Sequence, residues 1–348
     1  MRKKYDIDKQ LGICTRLTPP LGRAALKTAS ALMSAASPKS GGGVNVEKID
    51  SAPCRAWLIS SDDAGDSSPC LVYFHGGGFV FKAAPYHFRY AEKYASVCGK
   101  VLFADYSLAP SRVYPEQNRE CLSLFLWAAE NAEKLGIDKN KIAVGGDSAG
   151  GCLAADTVFA LKDGKAKPCF AMLIYPVLDR RMRTMSMKEF TDTPMWNARL
   201  NAKMWEYFDP ECRLVSPSER EDFGCFPPTY IETAEFDCLR DEALIFAEKL
   251  KNGGVSVFIN ETKRTVHGYD MARKSDVAVQ SLRLRLEALR QAFLRRRQMY
   301  NRQLDAFIVA ADSGSFSKAA NDIKTQDLTP LLWYHCRKEF LCWKIYLH

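Results

Sequence analysis

The chain has 348 residues, 47% of them hydrophobic and 26% charged, which are ordinary proportions for a globular protein with a sizeable core, and no apolar run is long enough to span a bilayer. Its formal net charge is +8, and seven arginines with a single acid between Arg283 and Arg302 account for six of those charges. This run is interpreted as a solvated helix face rather than a nucleic-acid or membrane patch. The twelve cysteines form no C-x-x-C pair, which excludes zinc-ligand spacing and predicts free thiols in a reducing, cytoplasmic compartment.

The first predicted element is a helical segment, residues 1–40, which ends in the breaker SPKSGGG at 37–43. Its small-residue stretch at 24–37 has some features of a signal peptide. Because Lys27 interrupts the apolar run, an amphipathic helix is the better interpretation.

From about residue 54, short β-rich runs alternate with longer helical stretches. The predicted strands are 55–60, 70–75, 101–105, 141–145, 170–175, 229–234 and 255–260. The predicted helices include 116–134, 148–162, 239–251 and 281–297. This alternation predicts an α/β fold in which helices cover both faces of a mostly parallel sheet, with the active-site loops at one edge.

Residues 180–222 interrupt this alternation and are rich in methionine, arginine and aromatic residues, Met195, Trp196 and Trp205 among them. An insertion at this point is expected above the strand ends. It is interpreted either as a helical layer that packs on the core or as a lid that lines an acyl pocket, and the two interpretations are compatible.

The strongest chemical signal is the motif GGDSAGG at 145–151, between a predicted strand and a predicted helix. It fits G-x-S-x-G, in which a strand-to-helix turn needs small neighbours and presents the hydroxyl of Ser148 at the sheet edge, with the N–H of Ala149 aimed at an oxyanion site. The second signal, HGGGF at 75–79, follows another predicted strand. Its glycines let backbone N–H groups approach a ligand, and each such donor stabilises a transition-state oxyanion by about 3 kcal/mol.

A nucleophilic serine needs a base, and the chain order serine, acid, histidine selects His267, which follows the predicted strand 255–260. The other four histidines either precede the serine or lie beyond the last predicted helix: His75, His87, His335 and His348.

The acid that orients this base is predicted to be Asp237, which follows the predicted strand 229–234. Asp241 lies one turn further on, within a predicted helix, and is expected to point elsewhere. Asp179, after the predicted strand 170–175, remains an alternative.

These motifs, with DYSLAP at 105–110 and EFDCLRDE at 235–242, resemble the bacterial hormone-sensitive-lipase-like (type IV) carboxylesterases of the α/β-hydrolase superfamily over about residues 5–298. The resemblance implies an α/β-hydrolase fold with a helical cap. The implied domains are cap helices at 1–48 and a catalytic domain at 49–298, with a cap insertion at about 180–222.

The resemblance also implies a role for each site residue. The implied set is the nucleophile Ser148, the acid Asp237, the base His267, the oxyanion-hole donors Gly77, Gly78 and Ala149, and the loop-shaping His75 and Gly76. Three departures from the family pattern are Ser107 for an arginine, Ser111 for a glutamate and Cys238 for a proline. They concern loop stability and substrate fit rather than the reaction.

Residues 299–323 differ in character and resemble the first helix and the start of the second in LysR-type transcriptional regulators, with Met299 as that protein's start and Gly-Ser-Phe at 314–316 as the inter-helix signature. Residues 324–348 lack the recognition helix expected next and resemble out-of-frame translation. We interpret this tail as the end of a fused or frameshifted gene.

The sequence therefore predicts a serine carboxylesterase that hydrolyses short-chain esters through an acyl-enzyme. A small-molecule ester is the expected partner, with no metal, no other cofactor and no nucleic acid, and a homo-oligomer is left open. Two alternatives come from other classes. One is a DNA-binding regulator with a hydrolase-like sensor domain, which needs a complete helix-turn-helix. The other is a catalytically inactive ligand-binding receptor on the same fold.

Overall fold

The computed structural model describes residues 4–22, 26, 28 and 37–313. Contacts divide the chain into one unit of residues 1–293 and a second of residues 294–348, and in the second unit the last helix continues as far as Ser313. Most of the helix predicted at 24–37, the LysR-like segment beyond Ser313 and the tail at 324–348 lie outside the described residues.

The first unit is built on one eight-stranded sheet with the order β1-β2-β4-β3-β5-β6-β7-β8. Strands β1 and β2 run antiparallel to their neighbours, and all later pairs are parallel. The strands are β1 (Val44–Ile49), β2 (Arg55–Ser61), β3 (Ser68–Phe74), β4 (Lys100–Asp105), β5 (Ile137–Asp147), β6 (Ala171–Ile174), β7 (Thr229–Phe236) and β8 (Val257–Val266).

Helices connect these strands and cover the sheet. They are α1 (Pro85–Cys98), α2 (Glu116–Glu130), α3 (Ala149–Ala160), α4 (Met185–Glu189), α5 (Ala198–Phe208), α6 (Arg240–Asn252) and α7 (Asp276–Ser313). Among the described residues, no helix is long and apolar enough to cross a membrane.

The central strand β3 shows why the sheet needs cover on both faces. Cys70, Val72 and Phe74 belong to one buried hydrophobic cluster, while Leu71 and Tyr73 belong to another. Since successive side chains of a strand point to opposite faces, the two clusters are the two cores above and below the sheet. A strand buried on both faces has the continuous apolar sequence typical of a parallel sheet.

The predicted fold class is confirmed, and all seven predicted strands are present. Strand β1 was not predicted, and it lies within the segment 1–48 that the resemblance assigns to the cap. This strand is antiparallel at the sheet edge and carries Asn45, Glu47 and Lys48, so it lacks the apolar run that identified the inner strands.

The N-terminal segment also differs from the prediction of continuous helix. Between residues 4 and 22 the structure has only two short 3-10 helices, Lys9–Leu11 and Cys14–Arg16. Gly12 between them favours a break, and the pair Pro19-Pro20 that follows prevents further helix because proline lacks the backbone donor.

Arg285 contradicts the interpretation of the arginine run as a uniformly solvated face, because its side chain is only 1% exposed. On α7 it bonds two buried carboxylates, those of Glu232 on β7 and of Asp270. Burial alone would lower the pKa of Arg285, but the attraction of Glu232, reinforced by Tyr94 and Asp270, holds it well above its usual value. The ion pairs therefore fasten α7 to the sheet.

We predict that Arg285→Met lowers the free energy of unfolding by about 3–5 kcal/mol, because losing one partner leaves buried charges uncompensated. Urea-induced unfolding followed by tryptophan fluorescence measures the loss. The matched control is Arg290→Met on the same helix, where an exposed pair with Glu287 is removed and the midpoint should not move. Equal midpoints for the two variants would contradict the assignment.

Candidate active site

Ser148 occupies the sharp turn between β5 and α3. Its φ is 53°, in the left-handed region that residues other than glycine rarely adopt, and its N–H donates to the carbonyl of Ile174 at 2.8 Å. The flanking glycines are required because a Cβ on Gly150 would lie 1.9 Å from the carbonyl oxygen of Phe74, and a Cβ on Gly146 would lie 2.4 Å from Gly150. The strand-turn-helix context expected for G-x-S-x-G is therefore present.

His267 and Asp237 meet Ser148 at the same edge of the sheet. The imidazole Nε2 lies 2.9 Å from the Oγ of Ser148, and Nδ1 lies 2.7 Å from the Oδ2 of Asp237. Asp237 is fully buried, and its other oxygen accepts the N–H of Leu239 at 3.0 Å. A carboxylate at Nδ1 places the ring proton there, which leaves Nε2 free to accept the hydroxyl proton of Ser148.

The two competing acids are engaged elsewhere. Asp179 accepts hydrogen bonds from the guanidinium of Arg181, at 2.7 and 2.8 Å. Asp241 accepts the N–H of Ser186 at 2.7 Å, near the start of α4. The structure thus brings Asp237, rather than either alternative, to His267.

The glycine loop expected to form the oxyanion hole approaches Ser148 from β3. Gly77 and Gly78 both have positive φ, at 117° and 58°. Within the described part of the chain, no group accepts a hydrogen bond from the N–H of Gly77, Gly78 or Ala149. These three donors are therefore free for a ligand oxygen.

Asp147 lies against this loop, a contact that was not predicted from the sequence: its Oδ2 is 2.2 Å from the position that a Cβ on Gly76 would take. It accepts hydrogen bonds from the hydroxyl of Tyr73 at 2.7 Å and from the Nε2 of His87 at 3.2 Å. His87 in turn accepts the N–H of Ala84 at Nδ1, which fixes its tautomer. Burial opposes ionisation of Asp147, but His87 and Tyr73 outweigh it and hold the pKa of the carboxyl down at about 2. The carboxylate next to the serine is therefore a permanent acceptor.

His75 has a structural place in the loop. Its Nδ1 lies 2.6 Å from the carbonyl oxygen of Gly76, and its ring stacks on Tyr106 with centroids 4.5 Å apart. Burial lowers the pKa of His75 to about 3, so the ring stays neutral near pH 7. Two of the three departures from the family pattern have local partners or burial rather than contacts with Ser148 or His267. Ser107 donates both its N–H and its hydroxyl to Glu120, and Cys238 is buried next to Asp237, whereas Ser111 is exposed.

The insertion at 180–222 reaches the site through Met195 and Trp196. A Cβ on Gly78 would lie 2.7 Å from the indole of Trp196, and the indole lies 6.1 Å from the His267 ring between centroids. Met195 comes within 3.3 Å of the Cβ position of Gly268 and donates its N–H to Leu17, in the N-terminal segment. Both segments expected to form the cap therefore meet beside His267.

A cavity of about 1010 Å³ lies next to the residues that follow the glycine loop. Val80, Lys82, Ser107 and Ser111 are among its lining residues, and Ser148 is not. In the described ranges, no cluster of three or more histidine, cysteine or acidic side chains is arranged to hold a metal.

We predict that Gly76→Ala lowers kcat for ester hydrolysis by about 10²–10³-fold, as when an oxyanion-hole donor is lost. The added Cβ would lie 2.2 Å from the Oδ2 of Asp147 and would displace the loop. Gly65→Ala is the control, because no atom lies within 4 Å of its Cβ position. Steady-state kinetics of both variants, with circular dichroism to verify folding, measure the effect, and a fully active Gly76→Ala enzyme would disprove it.

Comparison with known proteins gives consistent results. Residues 71–271 match a family model described as the alpha/beta hydrolase fold. Esterase LipI of Mycobacterium tuberculosis is 32% identical over 221 residues, which cover 61% of this chain and 69% of LipI. Carboxylesterase NlhH of the same species is 33% identical over 215 residues, which cover 59% of this chain and 67% of NlhH.

Solved structures agree with these sequence matches. A bacterial heroin esterase superposes with a TM-score of 0.74 at 32% identity, over 82% of this chain and 98% of that one. Esterase LipW of Mycobacterium marinum superposes with a TM-score of 0.76 at 27% identity, over 83% and 96% of the two chains.

Proposed function

The chain belongs to the α/β-hydrolase family, in the branch that resembles hormone-sensitive lipase, and we propose that it is a serine carboxylesterase that hydrolyses short-chain esters through an acyl-enzyme. The named relatives place it among carboxylic ester hydrolases. The observation that carries the serine mechanism is the hydrogen-bonded series Ser148, His267, Asp237 beside three free N–H donors.

In the first half of the proposed reaction, the Oγ of Ser148 attacks the ester carbonyl while the Nε2 of His267 takes the hydroxyl proton. The oxyanion that forms accepts hydrogen bonds from the N–H groups of Gly77, Gly78 and Ala149. Collapse breaks the bond to the alcohol, which leaves with the proton held on His267.

In the second half, water gives a proton to His267 and attacks the acyl-enzyme, and the carboxylic acid leaves as Ser148 recovers its proton. Asp237 stabilises the imidazolium in both halves. Each of these steps uses protein groups and water alone. An inactive receptor would have no use for the 2.9 Å contact between His267 and Ser148, which favours the enzyme.

The proposed preference for short acyl chains rests on the cap. Trp196 lies over Gly78, and its Nε1 donates to Asn201 at 3.2 Å, so the indole is held in place beside the oxyanion loop. Trp196 is only 4% exposed and packs with buried residues of α5. A fixed indole at this position limits the space for long chains.

We also propose a reducing, cytoplasmic location. Cys70, Cys98, Cys121 and Cys152 are buried free thiols, and burial raises the pKa of Cys70 to about 12. Such thiols are poor nucleophiles toward disulfides, and free buried cysteines are typical of reducing compartments.

We predict that Ser148→Ala lowers kcat for p-nitrophenyl butyrate by at least about 10⁴-fold, because the nucleophile is lost while the oxyanion donors remain. The control is Ser218→Ala, which removes a buried hydroxyl that has no hydrogen-bond partner among the described groups. A folded Ser148→Ala protein with near-wild-type turnover would eliminate the serine mechanism.

A second prediction concerns chain length. The unaltered protein should hydrolyse p-nitrophenyl butyrate faster than the octanoate. Trp196→Ala should raise the octanoate-to-butyrate ratio of kcat/KM by about 10-fold, because the extra methylene groups of the octanoate can occupy the space that the indole leaves. Trp127→Ala, on α2, provides the control for loss of an indole. An unchanged ratio in Trp196→Ala would remove the basis for the short-chain proposal.

A further inference from the structure

Tyr175 lies against the catalytic imidazole from a strained backbone position. It directly follows β6, and its φ is 32°, in the left-handed region that tyrosine rarely adopts. Its buried ring meets the ring of His267 edge to face, with centroids 4.7 Å apart and planes at 62°. Strained residues persist where the surroundings hold them, and they cluster at active sites.

Tyr175 is held at both ends by one closed set of buried contacts. Its N–H donates to the carbonyl of Glu232 at 2.8 Å, and its hydroxyl donates to the Oδ1 of Asp270 at 2.8 Å. Arg285 joins these two partners, with Nη1 2.9 Å from the Oδ2 of Asp270 and Nε 3.1 Å from the Oε2 of Glu232. None of these four residues can move without breaking a buried hydrogen bond, and a broken hydrogen bond is costly in a low-dielectric interior.

The two hydrogen bonds of His267 leave one motion of its ring free. The bonds to Asp237 and Ser148 leave from opposite sides of the imidazole, so the ring can still tilt about the line that joins them. A side chain packed against the ring resists that tilt. Trp196 is another aromatic neighbour among the described residues, but its centroid is 6.1 Å away, compared with 4.7 Å for Tyr175.

We propose that Tyr175 is a positioning residue that fixes the tilt of the His267 ring, and that Asp270 and Arg285 hold Tyr175 in place. The proposal rests on the proposed function, since it takes His267 as the base. A tilted imidazole aims its Nε2 lone pair away from the Oγ of Ser148 and slows proton transfer. Ester binding against the cap does not involve this tilt, so kcat changes while KM does not.

The test compares two variants that each remove one buried tyrosine hydroxyl from the Arg285 cluster. Tyr175→Phe frees the ring that touches His267. Tyr230→Phe is the matched control, because the hydroxyl of Tyr230 donates to Glu232 at 2.6 Å while its ring stacks on Phe258.

For p-nitrophenyl butyrate, we expect Tyr175→Phe to lower kcat about 10- to 100-fold with KM within about twofold. Tyr230→Phe should keep kcat within about twofold, even if its melting temperature falls as far as that of Tyr175→Phe. Asp270→Asn weakens the hydrogen bond to the Tyr175 hydroxyl without altering Tyr175 itself, and it should also lower kcat while KM stays unchanged. If Tyr175→Phe does not fold, Asp270→Asn alone tests the proposal.

Equal kcat losses in the two tyrosine variants, or a lowered melting temperature with wild-type kcat in Tyr175→Phe and Asp270→Asn, would overturn the proposal. Ser148→Ala is measured alongside. If Ser148→Ala is inactive while Tyr175→Phe is fully active, only the positioning role fails. If Ser148→Ala hydrolyses the ester normally, the proposed function fails first.

Discussion

The close approach of α3 to β3 at the serine turn is the constraint on which the rest of the site depends. With 1.9 Å between the Cβ position of Gly150 and the carbonyl oxygen of Phe74, only glycine lets the helix begin directly against the strand. The same approach holds Ser148 at a φ of 53° and brings its hydroxyl to the loop that follows β3. Packing of the two central strands and one helix therefore determines where Ser148 meets the glycine loop that carries the proposed oxyanion donors.

Several buried charged side chains surround the serine turn, and each has its own hydrogen-bond partners. Two hydrogen-bond donors keep Asp147 ionised beside the glycine loop, while Asp237 faces the imidazole of His267. On the far side, Arg285 compensates two further buried carboxylates. Buried ions of this kind contribute little net stability, so we interpret them as fixing the positions of the chain segments that carry Asp237 and His267.

Motifs and strand order made most of the fold predictable, and they also made the meeting of Ser148, Asp237 and His267 predictable. Each of these three residues comes directly after a strand of the parallel part of the sheet, so all three reach the same edge. Tertiary partners were harder to predict. Position 285 falls on the same α7 face as Leu282 and Leu289, a signal that an arginine there is buried, but its carboxylate partners come from distant segments. Tyr175 had no sequence signal at all, since its role depends on a backbone angle and a ring contact.

The most direct test of the account is the site of covalent labelling by a fluorophosphonate, which reacts with a serine that an adjacent base activates. Intact-mass measurement and peptide mapping should find one adduct per chain, on Ser148, formed at the same rate as esterase activity is lost. Complete inactivation with the adduct on another residue, or an active enzyme that acquires no adduct, would contradict the account.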